Sequence, residues 1–173
     1  TIIGADIDTY WYIRDENLGF IADAVVPGVR CSDVEGTNPT THCMDFTSLE
    51  NLTGGAADDY FRMGDDGTGT TQGRIVGAIA GQGELSVGDT IDYSEYTTPV
   101  SVSLVGGTAT RVDNGISGIE NVIGSSVAAN IITGDENDNI LIGTGANDEI
   151  YGREGNDILI GRGGDDILEI GRA

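Results

Sequence analysis

Between residues 152 and 169 the chain reads Gly152-Arg-Glu-Gly155-Asn-Asp157-Ile-Leu159-Ile and then Gly161-Arg-Gly-Gly164-Asp-Asp166-Ile-Leu168-Glu. Both segments follow one nine-residue pattern, in which Asn or Asp precedes aliphatic residues and then glycine. The residues that recur at this spacing are Asn130, Asn139, Asp148, Asp157 and Asp166. Such a repeat indicates a solenoid, in which stacked units bury their apolar faces only against their neighbours.

Each unit has six turn residues and three strand residues, which is enough for half a coil. Turns eighteen residues apart should therefore stack in two columns. The first column contains Asn130, Asp148 and Asp166, and the second contains Asn121, Asn139 and Asp157. Stacked carboxylates about 5 Å apart repel each other by roughly 3 kcal/mol at an effective dielectric constant of about 20, so they oppose folding unless they are protonated or bridged.

Calcium is the cation that best matches these turns. It accepts about six to eight oxygen ligands from carboxylates and backbone carbonyls, whereas magnesium requires a stricter octahedron. Zinc and copper prefer nitrogen or sulfur ligands, which the repeated segment lacks. The sequence therefore predicts several bound calcium ions. The alternative is a solenoid with hydrogen-bonded Asp and Asn turns and no ion.

Residues 134–169 resemble the RTX (repeats-in-toxin, haemolysin-type) calcium-binding β-roll. The resemblance implies that sixth-position side chains and backbone carbonyls of turns one coil apart share each ion. The implied ligands are Asn130, Asn139, Asp148, Asp157 and Asp166.

The chain also departs from the family pattern, because Asn replaces Asp in the earlier units and Asp135, Asn137 and Ala146 replace preferred glycines. We therefore expect graded affinity, in which substitution of Asp148 or Asp166 by Ala weakens calcium binding more than Asn130→Ala does. Asp59 ends a single degenerate unit, which is expected to turn the chain rather than to hold metal, since no neighbour follows eighteen residues later.

The rest of the chain is also predicted to form strands. Val100 to Leu104 alternates apolar and polar residues, as a pleat with one buried face requires, and no segment shows a convincing helical pattern. The expected fold is all-β, a right-handed parallel β-helix or β-solenoid that ends in a calcium-binding β-roll. Residues 1–124 would form the solenoid coils, with a loop excursion from Cys31 to Cys43, and residues 125–173 the roll.

Composition restricts the partners. The chain has 29 acidic and 8 basic residues, a net charge of −21 and no lysine, so nucleic acid is a poor partner and divalent metal is the natural counterion. No apolar run is long enough to span a bilayer. Cys31 and Cys43 flank turn-forming residues and predict a disulfide in an oxidising compartment, with reduced thiols as the alternative. We expect a mature product or a part of a longer polypeptide.

Residues 46–130 also resemble repeat modules of large secreted bacterial adhesin-like proteins, with Asp89-Thr-Ile-Asp92-Tyr93-Ser94 as one matching strand. The predicted function is therefore a secreted, calcium-stabilised structural or adhesive module at the bacterial cell surface. Its ends are expected to mediate self-association, head to tail onto the coil around Ile2 to Ile13, in a filament or layer. Cell-surface or matrix polysaccharide is a possible partner, although Trp11 is predicted to fill a wide coil rather than to stack on sugar.

An enzyme is the alternative function. One form is the calcium-binding part of a larger secreted enzyme, with catalysis outside these residues. The other is a small calcium-dependent polysaccharide lyase that uses Arg62 or Arg74 as a base beside Asp58 or Asp65. The single histidine, His42, lies in the predicted disulfide loop and is a poor base for a nucleophilic triad. The prediction is that the chain is not an enzyme.

Overall fold

The computed structural model describes residues 2–3, 10–15, 18–22, 43–47, 51–64, 72–83 and 87–172. Strands, turns and bends build this part of the chain, and it contains no helix. The strands form three sheets, and most neighbouring strands are parallel. These features confirm the all-β solenoid that ends in a β-roll.

The smallest sheet contains, in spatial order, β1 (Ile2–Ile3), β5 (Leu52–Thr53), β7 (Ile79–Ala80) and β11 (Ile116–Ser117). The largest contains β4 (Cys43–Thr47), β3 (Leu18–Ala22), β2 (Tyr10–Asp15), β6 (Tyr60–Met63), β8 (Thr90–Asp92), β12 (Asn121–Ile123), β14 (Ile140–Ile142) and β16 (Ile158–Ile160). The third contains β10 (Thr108–Ala109), β9 (Ser101–Ser103), β13 (Ile131–Thr133), β15 (Glu149–Tyr151) and β17 (Ile167–Glu169).

The nonapeptide explains the geometry of the roll. Strands β14 to β17 occupy the last three positions of successive units, and alternate units join alternate sheets. Ile140 therefore pairs with Ile158, and Ile150 pairs with Leu168, each eighteen residues later. Because side chains alternate along a strand, only the middle residue of each three-residue strand points inward.

The core narrows along the solenoid. In the upstream coils Trp11 and Phe61 are fully buried, and their rings stack with centroids 5.7 Å apart and an interplanar angle of 16°. Trp11 therefore fills the coil, as predicted. In the roll each strand supplies one inward aliphatic residue, and Ile150 is 0% exposed whereas Leu168 is 47% exposed. The coil that contains β16 and β17 thus leaves its core side chains half covered.

A hairpin leaves the solenoid next to β2. Strands β3 and β4 pair antiparallel and extend the largest sheet beyond β2. The predicted excursion lies between them, but residues 23–42 are outside the described part of the chain. The predicted Cys31–Cys43 disulfide lies outside it as well, because only the backbone of Cys43 is described.

Two sheets cross the predicted boundary between residues 124 and 125. Strand β12 pairs with β8 on one side and β14 on the other, and β13 pairs with β9 and β15. The division into a solenoid and a roll stays a prediction. Among the described residues, no helix has the length and apolarity that crossing a membrane requires.

Candidate metal centre

The turns of the roll stack as predicted for the first column. The backbone N–H of Asn130 donates to Asp148 Oδ1 at 2.8 Å, and the N–H of Asp148 donates to Asp166 Oδ1 at 2.9 Å. In the second column the N–H of Asn139 donates to Asp157 Oδ1 at 3.0 Å. The structure thus brings the five predicted ligands together in two columns of neighbouring corners.

One member of the second column was predicted wrongly. Asn121 pairs with Ile140 rather than with Asn139, so Glu120 is the residue level with Asn139. The spacing at this point is nineteen residues instead of eighteen. Asn121 instead donates its amide hydrogens to the carbonyls of Val87 and Gly88, which anchors the preceding coil.

Corner carboxylates accept backbone hydrogen bonds, which the electrostatic argument from the sequence did not include. Asp148 Oδ2 accepts the N–H of Thr144 at 2.7 Å, and Asp148 Oδ1 accepts the N–H of Asn130 in the preceding coil. In the same way Asn139 Oδ1 accepts the N–H of Asp135 at 2.9 Å. Each N–H donor places a partial positive charge next to a corner oxygen, so the amide groups offset part of the expected repulsion.

The units that begin at Gly152 and Gly161 lack the hydrogen bond from the N–H of the second residue of the unit to the corner side chain. Asp157 is 8% exposed, and its Oδ2 has no hydrogen-bond partner among the described residues. No hydrogen bond from the described part of the chain reaches Asp166 Oδ2 either. A buried carboxylate oxygen without a partner is costly, because its charge loses hydration without compensation. That cost applies to Asp157 Oδ2, whereas Asp166 is only half-buried. Both oxygens lack a hydrogen-bond partner among the described residues, which makes them the best-placed acceptors for a cation.

Backbone conformation distinguishes the last two units, in which the corner oxygen Oδ2 lacks a hydrogen bond, from the two units before them. Arg153 and Arg162, the second residues of the last two units, have φ values of 79° and 75°. A left-handed conformation costs a non-glycine residue about 1–2 kcal/mol. The sequence carried a signal for this strain, since Gly-Arg opens both units at the same position. Its link to the missing hydrogen bond at Asp157 Oδ2 was not recognised from the sequence.

The first residue of each of these units must be glycine. A Cβ on Gly152 would collide with Asp157 Oδ2, and a Cβ on Gly161 would collide with Asp166 Oδ2. The missing side chain thus makes room for the corner carboxylate to lie against the backbone. Close approach of this kind is a common reason for glycine in a turn.

The available ligands are oxygens, which suits calcium. Among the described residues, no three side chains of His, Cys, Asp or Glu converge on one point. Backbone carbonyls would therefore have to complete a site, and calcium accepts these readily. Turn carbonyls such as Thr144 O and Arg153 O each accept one N–H from the next coil and keep a second lone pair. The last two units thus fit the ion that the repeat implies.

A second pair of acidic corners lies upstream and was missed. The N–H of Asp59 donates to Asp89 Oδ1 at 2.6 Å, and the N–H groups of Gly55 and Gln82 donate to Asp59 Oδ2 and Asp89 Oδ2. Asp59 therefore has a stacked neighbour, Asp89, although no corner follows it eighteen residues later. Its neighbour is thirty residues away because the upstream coils are longer, and a fixed eighteen-residue spacing could not find it.

A groove runs beside the roll. Its volume is about 850 Å³, and its lining includes Tyr151, Arg153 and the carboxylates of Asp135, Glu136, Glu154 and Glu169. The hydroxyl of Tyr151 donates to Glu149 Oε2 at 3.0 Å, and this hydrogen bond raises the pKa of Tyr151. Tyr151 therefore presents a neutral aromatic ring at neutral pH.

The arginines considered for catalysis form ion pairs on the solenoid surface. Arg62 lies 3.1 Å from Glu95 and 3.7 Å from Asp92, and Arg74 lies 2.5 Å from Asp113. Asp58 accepts the backbone N–H groups of Val87 and Gly88. Asp65 lies outside the described residues. Each described group has a structural role that accounts for its position.

A comparison with protein families matches residues 133–168 to the haemolysin-type RTX calcium-binding nonapeptide repeat, in four copies. No curated protein and no solved structure matches the chain. The matched segment spans the four units that begin at Gly134, Gly143, Gly152 and Gly161. The match confirms the resemblance drawn from the sequence and the calcium that it implies. Residues 133–168 are RTX calcium-binding nonapeptide repeats.

Proposed function

We propose that this chain is a secreted, non-enzymatic structural or adhesive module whose C-terminal coils are stabilised by calcium. The observation that carries the calcium sites is the buried Asp157 Oδ2, which has no partner among the described residues. One site lies where the turns of Asn139 and Asp157 meet, and a second lies where those of Asp148 and Asp166 meet. Proteins with these repeats are typically secreted, which supports an extracellular setting with abundant calcium.

Calcium has a clear structural task at these two steps. Both connect the coil of residues 134–151 to the coil of residues 152–169, whose core residue Leu168 is 47% exposed. Hydrophobic burial is roughly proportional to the apolar area removed from water, so this coil gains little from packing. Ions shared between neighbouring turns would supply the missing stability.

Asp157→Asn tests the assignment. Loss of one ligand charge is expected to weaken calcium binding at its step roughly tenfold, because ligand charge tunes the affinity of calcium sites. Asp166→Asn should act in the same direction at the other step. The affinity is measured by isothermal titration calorimetry, and circular dichroism of each variant checks that the fold is retained.

Asp113→Asn is the matched control, since it removes the same charge from a carboxylate that pairs with Arg74 outside the roll. It should leave the calcium affinity unchanged. If all three substitutions weaken binding equally, general electrostatic attraction explains the effect and the two sites are refuted.

The adhesive role is supported by the groove next to the roll. A neutral tyrosine ring beside several carboxylates can contact the apolar face of a sugar while the carboxylates accept its hydroxyl hydrogens. We therefore assign cell-surface or matrix polysaccharide to this groove as the partner. The absence of catalysis stays a prediction, and polysaccharide cleavage assays with calcium test it directly.

Self-association is proposed through the coil that contains β16 and β17. These strands lie at the edges of their sheets, and Ile158, Ile167 and Ile170 are each more than half exposed. An uncovered strand edge recruits other strands. Stacking onto the coil around Ile2 to Ile13 is not favoured at β2, because β2 already pairs with β6 on one side and β3 on the other.

Sedimentation velocity at millimolar calcium tests this association. We expect oligomers that dissociate when Leu168 is replaced by Asn, since the substitution removes apolar surface from the exposed end. Val87→Asn is the control, because Val87 is 61% exposed but lies away from β16 and β17. A wild-type protein that stays monomeric at millimolar calcium would contradict the proposal.

A further inference from the structure

Asn130 lies at the centre of a buried polar network that joins three coils. The side chains of Ser125, Asn130, Thr144 and Asp148 are each at most 5% exposed. The Ser125 hydroxyl donates to the carbonyl of Tyr96 in the coil before it, at 2.8 Å. The Thr144 hydroxyl, in the coil after it, donates to the carbonyl of Ser125. The network thus connects the upstream solenoid to the first coil of the roll.

The amide of Asn130 uses both of its ends. Its Oδ1 accepts the N–H of Ser125 at 2.9 Å. Its Nδ2 faces acceptors, at 2.7 Å from Asp148 Oδ1 and 3.2 Å from the carbonyl of Ser125. The orientation of the amide follows from this arrangement, because the reverse orientation would place Nδ2 against an N–H donor and Oδ1 against a carboxylate.

The amide nitrogen therefore contacts the atoms that a shared ion would need. Asp148 Oδ1 accepts Asn130 Nδ2 and the N–H of Asn130, and Asp148 Oδ2 accepts the N–H of Thr144. Both oxygens of Asp148 are thus engaged by donors from the turns of Asn130 and Thr144. This differs from Asp157, whose Oδ2 has no partner among the described residues.

We infer that the step between the turns of Asn130 and Asp148 is an ion-free junction, in which the Asn130 amide takes the place of calcium. Two of the ligands implied by the repeat, Asn130 and Asp148, then hold each other rather than a shared ion. A fully satisfied buried network of this kind is rigid and specific. Dependence on calcium begins one coil later, at the steps that involve Asp157 and Asp166. The contrast between the Asn130–Asp148 step and these later steps rests on the proposed calcium sites, whereas the junction itself does not.

The substitution Asn130→Asp tests the junction. It replaces the amide donor by a carboxylate against Asp148, so the variant should need a cation there. Calorimetric titration is expected to show one more calcium ion per chain for the variant than for the wild type. Asn114→Asp is the matched control, because it adds the same charge at an exposed turn outside the network, and it should add no ion.

Hydrogen exchange of the wild-type protein in EGTA gives a second, independent measurement. The amides of Ser125, Asn130 and Thr144 should exchange within about tenfold of their rates in calcium, which corresponds to about 1.4 kcal/mol. Exchange of these amides that is faster by much more than tenfold in EGTA would overturn the inference. If the wild type binds calcium, an Asn130→Asp variant that binds no additional ion would also overturn the inference, even when these amides stay protected in EGTA. If neither protein binds calcium but the wild-type junction stays protected, the junction stands and the proposed calcium sites fail.

Discussion

Chelation of calcium is expected to unfold the coil of residues 152–172 while residues 87–148 keep their structure. Sites that bind at roughly 0.1–1 mM each contribute about 1.4 kcal/mol when calcium is tenfold above the dissociation constant, so two sites contribute about 3 kcal/mol. The affected coil has few other sources of stability, because Leu168 and Ile170 are about half exposed or more. From the sequence alone, loss of order would be expected over the whole of residues 125–173.

Hydrogen exchange resolved by peptide, with EGTA and again after calcium is restored, measures this difference. Peptides from residues 152–172 should lose protection in EGTA, and the β signal in circular dichroism should decrease only in part. Equal loss across residues 125–172 would show that the junction at Asn130 also requires calcium. Full protection of every peptide in EGTA would remove the structural role of calcium altogether.

Phe61→Ala is expected to lower the free energy of unfolding of the upstream coils by about 3–5 kcal/mol, the usual cost of deleting a buried aromatic ring. Phe61 is 0% exposed, pairs in register with Trp11 and Ile91, and stacks on the Trp11 ring. Its removal leaves a cavity between three neighbouring coils. The surrounding backbone cannot close the cavity easily, because parallel strands fix the distance between coils.

Urea unfolding followed by Trp11 fluorescence reports this region directly, since Trp11 is the single tryptophan of the chain. Val87→Ala is the control, because Val87 is 61% exposed and surface substitutions usually change stability by less than about 0.5 kcal/mol. A loss below about 1 kcal/mol for Phe61→Ala would mean that the aromatic core does not hold the upstream coils together.

Much of the roll could be predicted from its sequence, since its period is short and constant. Nine residues make half a coil, so Asn130, Asp148 and Asp166 had to stack, and oxygen-rich turns had to favour calcium over softer metals. Upstream the coils vary in length, and local pattern gives no measure of that length. For this reason the stacking of Asp59 on Asp89 and the displacement of Asn121 from its column were missed.

The sequence by itself determined the all-β solenoid, the two columns of corners and the ion, because each of these depends on a local repeat. Only the tertiary structure decided which corner oxygens remain free. Each carboxylate oxygen can bind a cation or be occupied by N–H donors, and the outcome depends on the conformation of the turn and on the residue one coil away. Arg153 and its left-handed backbone accompany a free oxygen at Asp157, whereas the amide of Asn130 occupies Asp148. The contact between Asn130 and Asp148 joins residues eighteen positions apart, so it exists only once the coils are stacked.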